Sequence, residues 1–277
     1  MLKHCLAIII TLNFFYIPLT VSASDALNIF KSEKGTVRIA GGTAHIPVME
    51  EAAKRIMTFN NAIQITVAGG GSGVGIKQVG EGLVSIGNSG RKPTDDEIAR
   101  YNLTLFKWAI DGIGIIVNPE NGISELTETQ TKKIFAGEIT DWKELGGSDH
   151  KITVYTRDES SGTRAVFWKK ALGKGAITGK ADFVASNGAM KVAVSKDPYG
   201  IGYVSVGHID ETVKPVKFNG VAPTVENVVA GKYTIARGLY SNTRGKPEDL
   251  VKKCIDYLYS AETHTVITEK GFIPVDR

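Results

Sequence analysis

Apolar positions along this chain fall into two alternating rhythms, short β-branched runs and stretches with an apolar residue every third or fourth position. The first rhythm predicts strands at residues 37–40, 63–68 and 84–87, and the second predicts helices at 47–59, 73–79 and 94–101. The long apolar run 103–117 predicts one long strand or two consecutive ones. A helix at 127–135, a strand at 152–156, helices at 163–172 and 189–194 and a strand at 200–206 follow. The end of the chain predicts strands near Val216 and at 235–241, then helices at 247–260 and 261–270. This alternation predicts an α/β fold of open sheets with helices on both faces. No internal repeat, low-complexity tract or linker marks a domain boundary.

The first 23 residues break the rhythm. Lys3 and His4 precede an apolar stretch that ends in Val21-Ser22-Ala23, the layout of a cleaved export signal. Asn13 and Pro18 interrupt the stretch and argue against a membrane anchor. Cleavage after Ala23 removes Cys5, which has no lipid-attachment motif before it. Cys254 is then the sole thiol, so no intramolecular disulfide can form, and the exported protein must rely on its core. The expectation is a soluble periplasmic protein without a lipid anchor.

Composition narrows the function. The 277 residues are 42% hydrophobic and 22% charged, as in an ordered globular protein. Basic and acidic side chains are spread along the chain to a net +4, without the basic block that nucleic acid requires. His4, His45, His150, His208 and His264 stand singly and no His-Glu-x-x-His or paired-cysteine spacing occurs, so no metal site is expected. The glycine-rich run 69–75 does not continue into a phosphate-loop lysine, and neither Ser72 nor Ser161 occupies a nucleophile-elbow frame. No catalytic residue and no cofactor are expected.

Three segments share one design. Each strand ending near residues 40, 68 and 156 runs into a turn of glycines and hydroxyls that opens a helix: Gly41-Gly42-Thr43-Ala44, Gly70-Gly71-Ser72-Gly73, and Arg157 to Ser161-Gly162-Thr163. Such turns present free backbone N–H groups and a hydroxyl at the positive end of a helix dipole, which suits an anion. Thr43 or Ser72 alone reads more simply as a helix cap. Three such turns at the carboxyl ends of strands, one with an arginine, favour convergence on a small tetrahedral anion.

The same segments carry a family resemblance. Residues 39–43, 134–142 (Ile-Phe-Ala-Gly-Glu-Ile-Thr-Asp-Trp), 157–163, 200–204 and 269–275 resemble the extracytoplasmic phosphate-binding proteins of Pst-type ABC phosphate transporters, over nearly all the chain beyond the leader. The resemblance implies a two-lobed periplasmic-binding-protein architecture, each lobe a mixed sheet flanked by helices, with the ligand in the cleft. It places the first lobe at 24–112 and 205–277 and the second at 113–204. It implies phosphate contacts from Thr43, Ala44, Ser72, Ser89, Arg157, Ser161, Gly162 and Thr163, supported by Gly42, Gly71 and Arg91, with Glu159 orienting Arg157. It further implies a monomer that delivers inorganic phosphate to an ABC permease complex.

One stretch departs from the family pattern. Well-known members carry an aspartate after a Gly-Ala-Ser stretch, a carboxylate that accepts the proton of hydrogen phosphate. This chain has Gly87-Asn88-Ser89-Gly90-Arg91, with no acid. Arg91 either adds charge at the ligand or pairs with Asp95 or Asp96. The departure keeps sulfate open as the ligand. An exported phosphatase, or a sensor built on the same fold, are the readings from other classes.

Overall fold

The computed structural model describes residues 26–277, so the expected leader, with His4 and Cys5, lies outside the described residues. After a short 3₁₀ turn, β1 (Gly35–Gly41), α1 (Ile46–Phe59), β2 (Ile63–Gly70), α2 (Ser72–Gly80), β3 (Ile86–Ser89) and α3 (Asp95–Tyr101) alternate as the two rhythms predict. β4 (Leu103–Val117) is a single strand of 15 residues. Next come β5 (Glu125–Leu126), α4 (Glu128–Ala136), β6 (Thr153–Thr156), α5 (Gly162–Lys170), β7 (Asp182–Phe183), α6 (Asn187–Lys196), β8 (Gly200–Ser205), β9 (Lys214–Phe218) and α7 (Val225–Val229). β10 (Ala236–Arg244), α8 (Asp249–Tyr257), α9 (Ala261–Glu269) and β11 (Ile273–Pro274) finish the chain. β5, β7 and β11 span two residues each and α7 spans five, too short for periodicity to reveal them.

The sheet is mixed. Its strand order is β2-β1-β3-β10-β4-β8-β6-β7, and β9 also pairs with β4. β1 is parallel to β2 and β3, β10 is antiparallel to β3 and β4, and β8 is antiparallel to β4 and parallel to β6. β4 changes partner along its length, facing β10 over residues 103–112 and β8 over 113–117.

Two apolar cores lie on either side of that change. One gathers Phe30, Val37, Val48, Ile63 and Trp108 with Leu239, Ile255 and Phe272 from the end of the chain. The other gathers Ile113, Ile115, Phe135, Trp142, Phe167 and Tyr203 with Val216, Phe218, Tyr233 and Ile235. The last four residues belong to the segment 205–277, which the resemblance assigns to the first lobe, yet they pack in the second core. β9 is the reason, because it hydrogen-bonds to the distal half of β4. The chain crosses between cores inside β4 and again at the start of β10, where Ala236 pairs with Gly112 and the Ile113 amide donates to the Ile235 carbonyl at 2.8 Å. Among the described residues no helix is long and apolar enough to cross a membrane.

Candidate anion-binding site

Parallel strands β1 and β2 end side by side, with Gly41 in register with Gly70. Each turns directly into a helix, and both helix starts therefore face the same point. α1 has Pro47 in its first turn and no side-chain cap. α2 starts at Ser72 after Gly71, whose φ of 92° is a conformation that favours glycine. From the second lobe, α5 begins at Gly162 with Ser161 as its N-cap. Thr43 and Ser72 are thus not caps, whereas Ser161 is, its Oγ accepting from the Arg164 amide at 3.2 Å.

The three helix starts close on a small cavity lined by Gly42, Thr43, Ala44, His45, Gly71, Ser72, Gly90, Arg157, Ser161, Gly162, Thr163 and Arg237. Its volume is about 10 Å³ for the centre of a water-sized sphere, close to one such sphere. Thr43, Ala44, Ser72, Arg157, Ser161, Gly162 and Thr163, with supporting Gly42 and Gly71, are brought together here.

Hydrogen bonding aims the hydroxyls inward. Thr43 Oγ1 accepts from the Asn187 amide at 3.3 Å and from Asn187 Nδ2 at 3.0 Å. Thr163 Oγ1 accepts from the same Nδ2 at 3.5 Å, and Ser72 Oγ accepts from the Gly90 amide at 2.9 Å. Each of these hydroxyls, like Ser161, spends acceptor capacity on a protein N–H and keeps its own proton to give. The cavity is a nest of donors.

Charge is divided between two arginines. Arg157 is 1% exposed, its Nη2 donates to the Ala185 carbonyl at 2.9 Å, and its buried Nε has no protein partner. Burial pushes this guanidinium below the usual arginine range. Tyr203, stacked on Phe167 at 4.1 Å, fixes the backbone beneath it by accepting from the Arg157 amide at 3.2 Å. Arg237 is compensated: its Nε donates to Asp111 Oδ2 at 2.9 Å, and its Nη1 donates to the Gly90 carbonyl at 3.2 Å. Its Nη2 lies 2.8 Å from the same Asp111 oxygen but off the hydrogen-bond direction, which leaves that group without a hydrogen-bond partner. Burial pushes the Asp111 carboxyl up, while Arg237 and the Ser205 hydroxyl, donating at 2.8 Å, pull it down. His45 is fully buried and pushed down to about 3, first by burial and then by Arg237, so its ring is neutral. Arg157 therefore carries the uncompensated positive charge of the cavity.

Three expected residues stand apart. Ser89 is buried behind the cavity wall, its Oγ accepting from Asn242 Nδ2 at 2.9 Å, and its neighbour Gly90 reaches the cavity instead. Arg91 turns outward and forms a two-pronged pair with Glu97, both contacts 2.7 Å, instead of joining the anion cavity or pairing with Asp95 or Asp96. The capping box of Thr94 and Glu97 places that carboxylate within its reach. Glu159 is exposed and does not pair with Arg157, because the 157–161 turn directs it to the surface. The Asp158 carboxylate instead organises that turn, accepting from the Ser160 amide at 2.8 Å.

Sequence reasoning missed His45, Gly90, Asn187 and Arg237. Arg237 had a readable sign, since an arginine in a predicted strand and the lone Asp111 in the apolar run 103–117 are opposite charges on buried strands. Asn187 had none, because its role depends on the approach of two lobes. Among the described residues no group of three or more His, Cys, Asp or Glu could hold a metal.

A family model described as a PBP superfamily domain matches residues 31–262. The phosphate-binding protein PstS of Bacillus subtilis is 37% identical over 257 residues, 92% of this chain and 85% of that protein. This chain belongs to the PstS family. The PstS of Borreliella burgdorferi is 34% identical over 86% of this chain and 90% of its own length. Among solved structures, a chain from Clostridium perfringens assigned as a phosphate ABC transporter substrate-binding protein, with bound phosphate, superposes with a TM-score of 0.82 at 32% identity. The match covers 87% of this chain and all of that one. PstS relatives thus share the two-lobed fold, which confirms the architecture expected from the sequence.

Proposed function

We propose that this chain is an extracytoplasmic solute-binding protein that captures inorganic phosphate between its lobes and delivers it to a membrane ABC permease. The observation that carries the reading is the small donor-lined cavity, where three helix starts, four inward hydroxyls and one uncompensated arginine meet. An oxyanion there satisfies the orphan Arg157 Nε and the first-turn amides at once. The PstS names of the relatives supply the ligand. The leader at residues 1–23 exports the chain, and the mature protein acts as a monomer.

The lobes divide at 112/113 and again at 235/236, following the two cores. Both crossings lie on paired strands, so a hinge there moves the lobes as rigid bodies. The cavity holds the anion without reacting with it, since no carboxylate lines it and its histidine is neutral.

One observation favours a second ligand. No carboxylate lines the cavity to take the proton of hydrogen phosphate, a proton that fully ionised sulfate does not carry. Isothermal titration of the leaderless, phosphate-stripped chain with phosphate and then sulfate decides. One-to-one phosphate binding that persists in excess sulfate supports the reading. Tighter sulfate binding reassigns the ligand, and binding of neither overturns the site.

A further inference from the structure

Beside the anion cavity lies a second, larger hollow of about 460 Å³, and Arg237 is part of the wall of both. Arg91 and Lys92 line it from the first lobe, Lys169 and Lys170 from the last turn of α5, and Arg237 with Tyr240 from β10. Five of these six residues are basic, and no carboxylate residue lines the hollow. Arg91 is neutralised by Glu97 and Arg237 by Asp111. Lys92, Lys169 and Lys170 have no ion pair among the described residues. Lys170 Nζ donates to the Thr234 carbonyl at 3.1 Å, while Lys92 and Lys169 are exposed. Burial, then the neighbouring charge of Lys169, pushes the Lys170 ammonium below its ordinary range.

Unpaired ammonium groups from two lobes facing one hollow repel one another, and a mobile anion between them relieves that repulsion. Charges of one sign around a concave surface also raise the local concentration of small counter-ions and hasten their arrival. The hollow adjoins the site through Arg237, so an anion held loosely there is one side chain away from the tight cavity.

We propose that this basic hollow is the entry vestibule for the anion, a weak, diffuse site where Lys92, Lys169 and Lys170 gather phosphate before it passes to the cavity. This rests on the phosphate reading above. The vestibule sets the rate of capture and leaves the strength of final binding to the cavity.

Stopped-flow capture of inorganic phosphate by the leaderless chain, at ionic strengths from about 0.02 to 0.3 M, tests this against the screening expected of exposed charge. The variants are Lys92→Gln, Lys169→Gln and their double, with Lys217→Gln on β9, outside the hollow, as control. The double variant is expected to capture phosphate at least threefold more slowly at low salt, with a flatter salt dependence and a dissociation slowed in the same proportion, so that titrated affinity is unchanged; Lys217→Gln is expected to match the unaltered chain. Equal association rates and salt slopes in the double variant and the unaltered chain overturn the vestibule while leaving the cavity intact. A change confined to dissociation overturns it also, because the lysines then belong to the final site. Absence of phosphate capture by the unaltered chain overturns both readings together.

Discussion

The two walls of the cavity solve the same problem with different means. The first-lobe wall presents the starts of α1 and α2, two hydroxyls, and an arginine whose charge Asp111 cancels. The second-lobe wall presents one helix start, two hydroxyls and Arg157, which has no carboxylate partner among the described residues. Dipoles on one side are met by a full charge on the other. Neither wall alone supplies both charge and enclosure.

The asymmetry makes Arg157→Ala the most damaging change. Two charge-assisted hydrogen bonds lost from a buried site cost about 3 kcal/mol, roughly a hundredfold in affinity by titration. The same variant is expected to melt no earlier than the unaltered chain in anion-free buffer, since it removes a buried cation that nothing neutralises. An earlier melt combined with unchanged affinity would show that Arg157 serves the fold instead of the ligand.

Next in size is a change that keeps the walls apart. A Cβ on Gly162 would lie 2.1 Å from Ser72 Oγ across the cleft. Gly162→Ala is expected to cost about 2 kcal/mol, roughly thirtyfold in affinity, with a larger radius of gyration in the presence of ligand. Scattering curves that superpose on those of the unaltered chain would refute this closure geometry.

Smaller again is the loss of the residue that ties the walls together. Asn187 touches Thr43 on one wall and Thr163 on the other, and its Oδ1 accepts from the Ser205 amide at 3.1 Å. Asn187→Ala frees both hydroxyls to turn away, at about 1 kcal/mol or roughly fivefold in titrated affinity. Asn187→Asp, which replaces the Nδ2 donor by an acceptor beside an anion, is expected to be worse than alanine.

Acidity should leave the cavity charge almost untouched between about pH 5.5 and 8, since no carboxylate lines it and His45 stays neutral. Binding in that window is expected to follow the ionisation of phosphate itself. Stability behaves differently. His45 and His208 are held down to about 3 and about 4, chiefly by burial, from an ordinary value of 6.5. The unfolded chain therefore binds protons that the folded chain refuses, so stability is complete above about 6.5 and falls as the pH drops. The expected slope is up to about 1.4 kcal/mol per histidine per pH unit, visible in melting midpoints from pH 6.5 to 4.5. His45→Asn should flatten that slope.

Much of this was legible in the sequence. The periodicities located β1, α1, β2 and α2, and the three glycine and hydroxyl turns lay where the cavity forms, because strand ends and helix starts are local properties. The run 103–117 admitted one strand or two, and β4 is one strand that pairs with β10 along its first part and with β8 along its second, which explains the ambiguity. Partnership was less visible. Arg91 chose Glu97, six residues away, because a capping box had already placed that carboxylate. Arg237 and Asp111 lie 126 positions apart and meet through the pairing of β10 with β4. Neither choice can be read from spacing alone.

The first lobe is discontinuous along the chain. Its core joins residues 30–109 to residues 239–272, while the second core draws on the unbroken segment 113–235. A ribosome therefore finishes the material for the second lobe while the first still lacks Leu239, Ile255 and Phe272. The half that is started first is completed last, which keeps its apolar strands unsatisfied until the final helices emerge. A premature stop codon anywhere before Phe272 therefore removes part of the core that the N-terminal strands need.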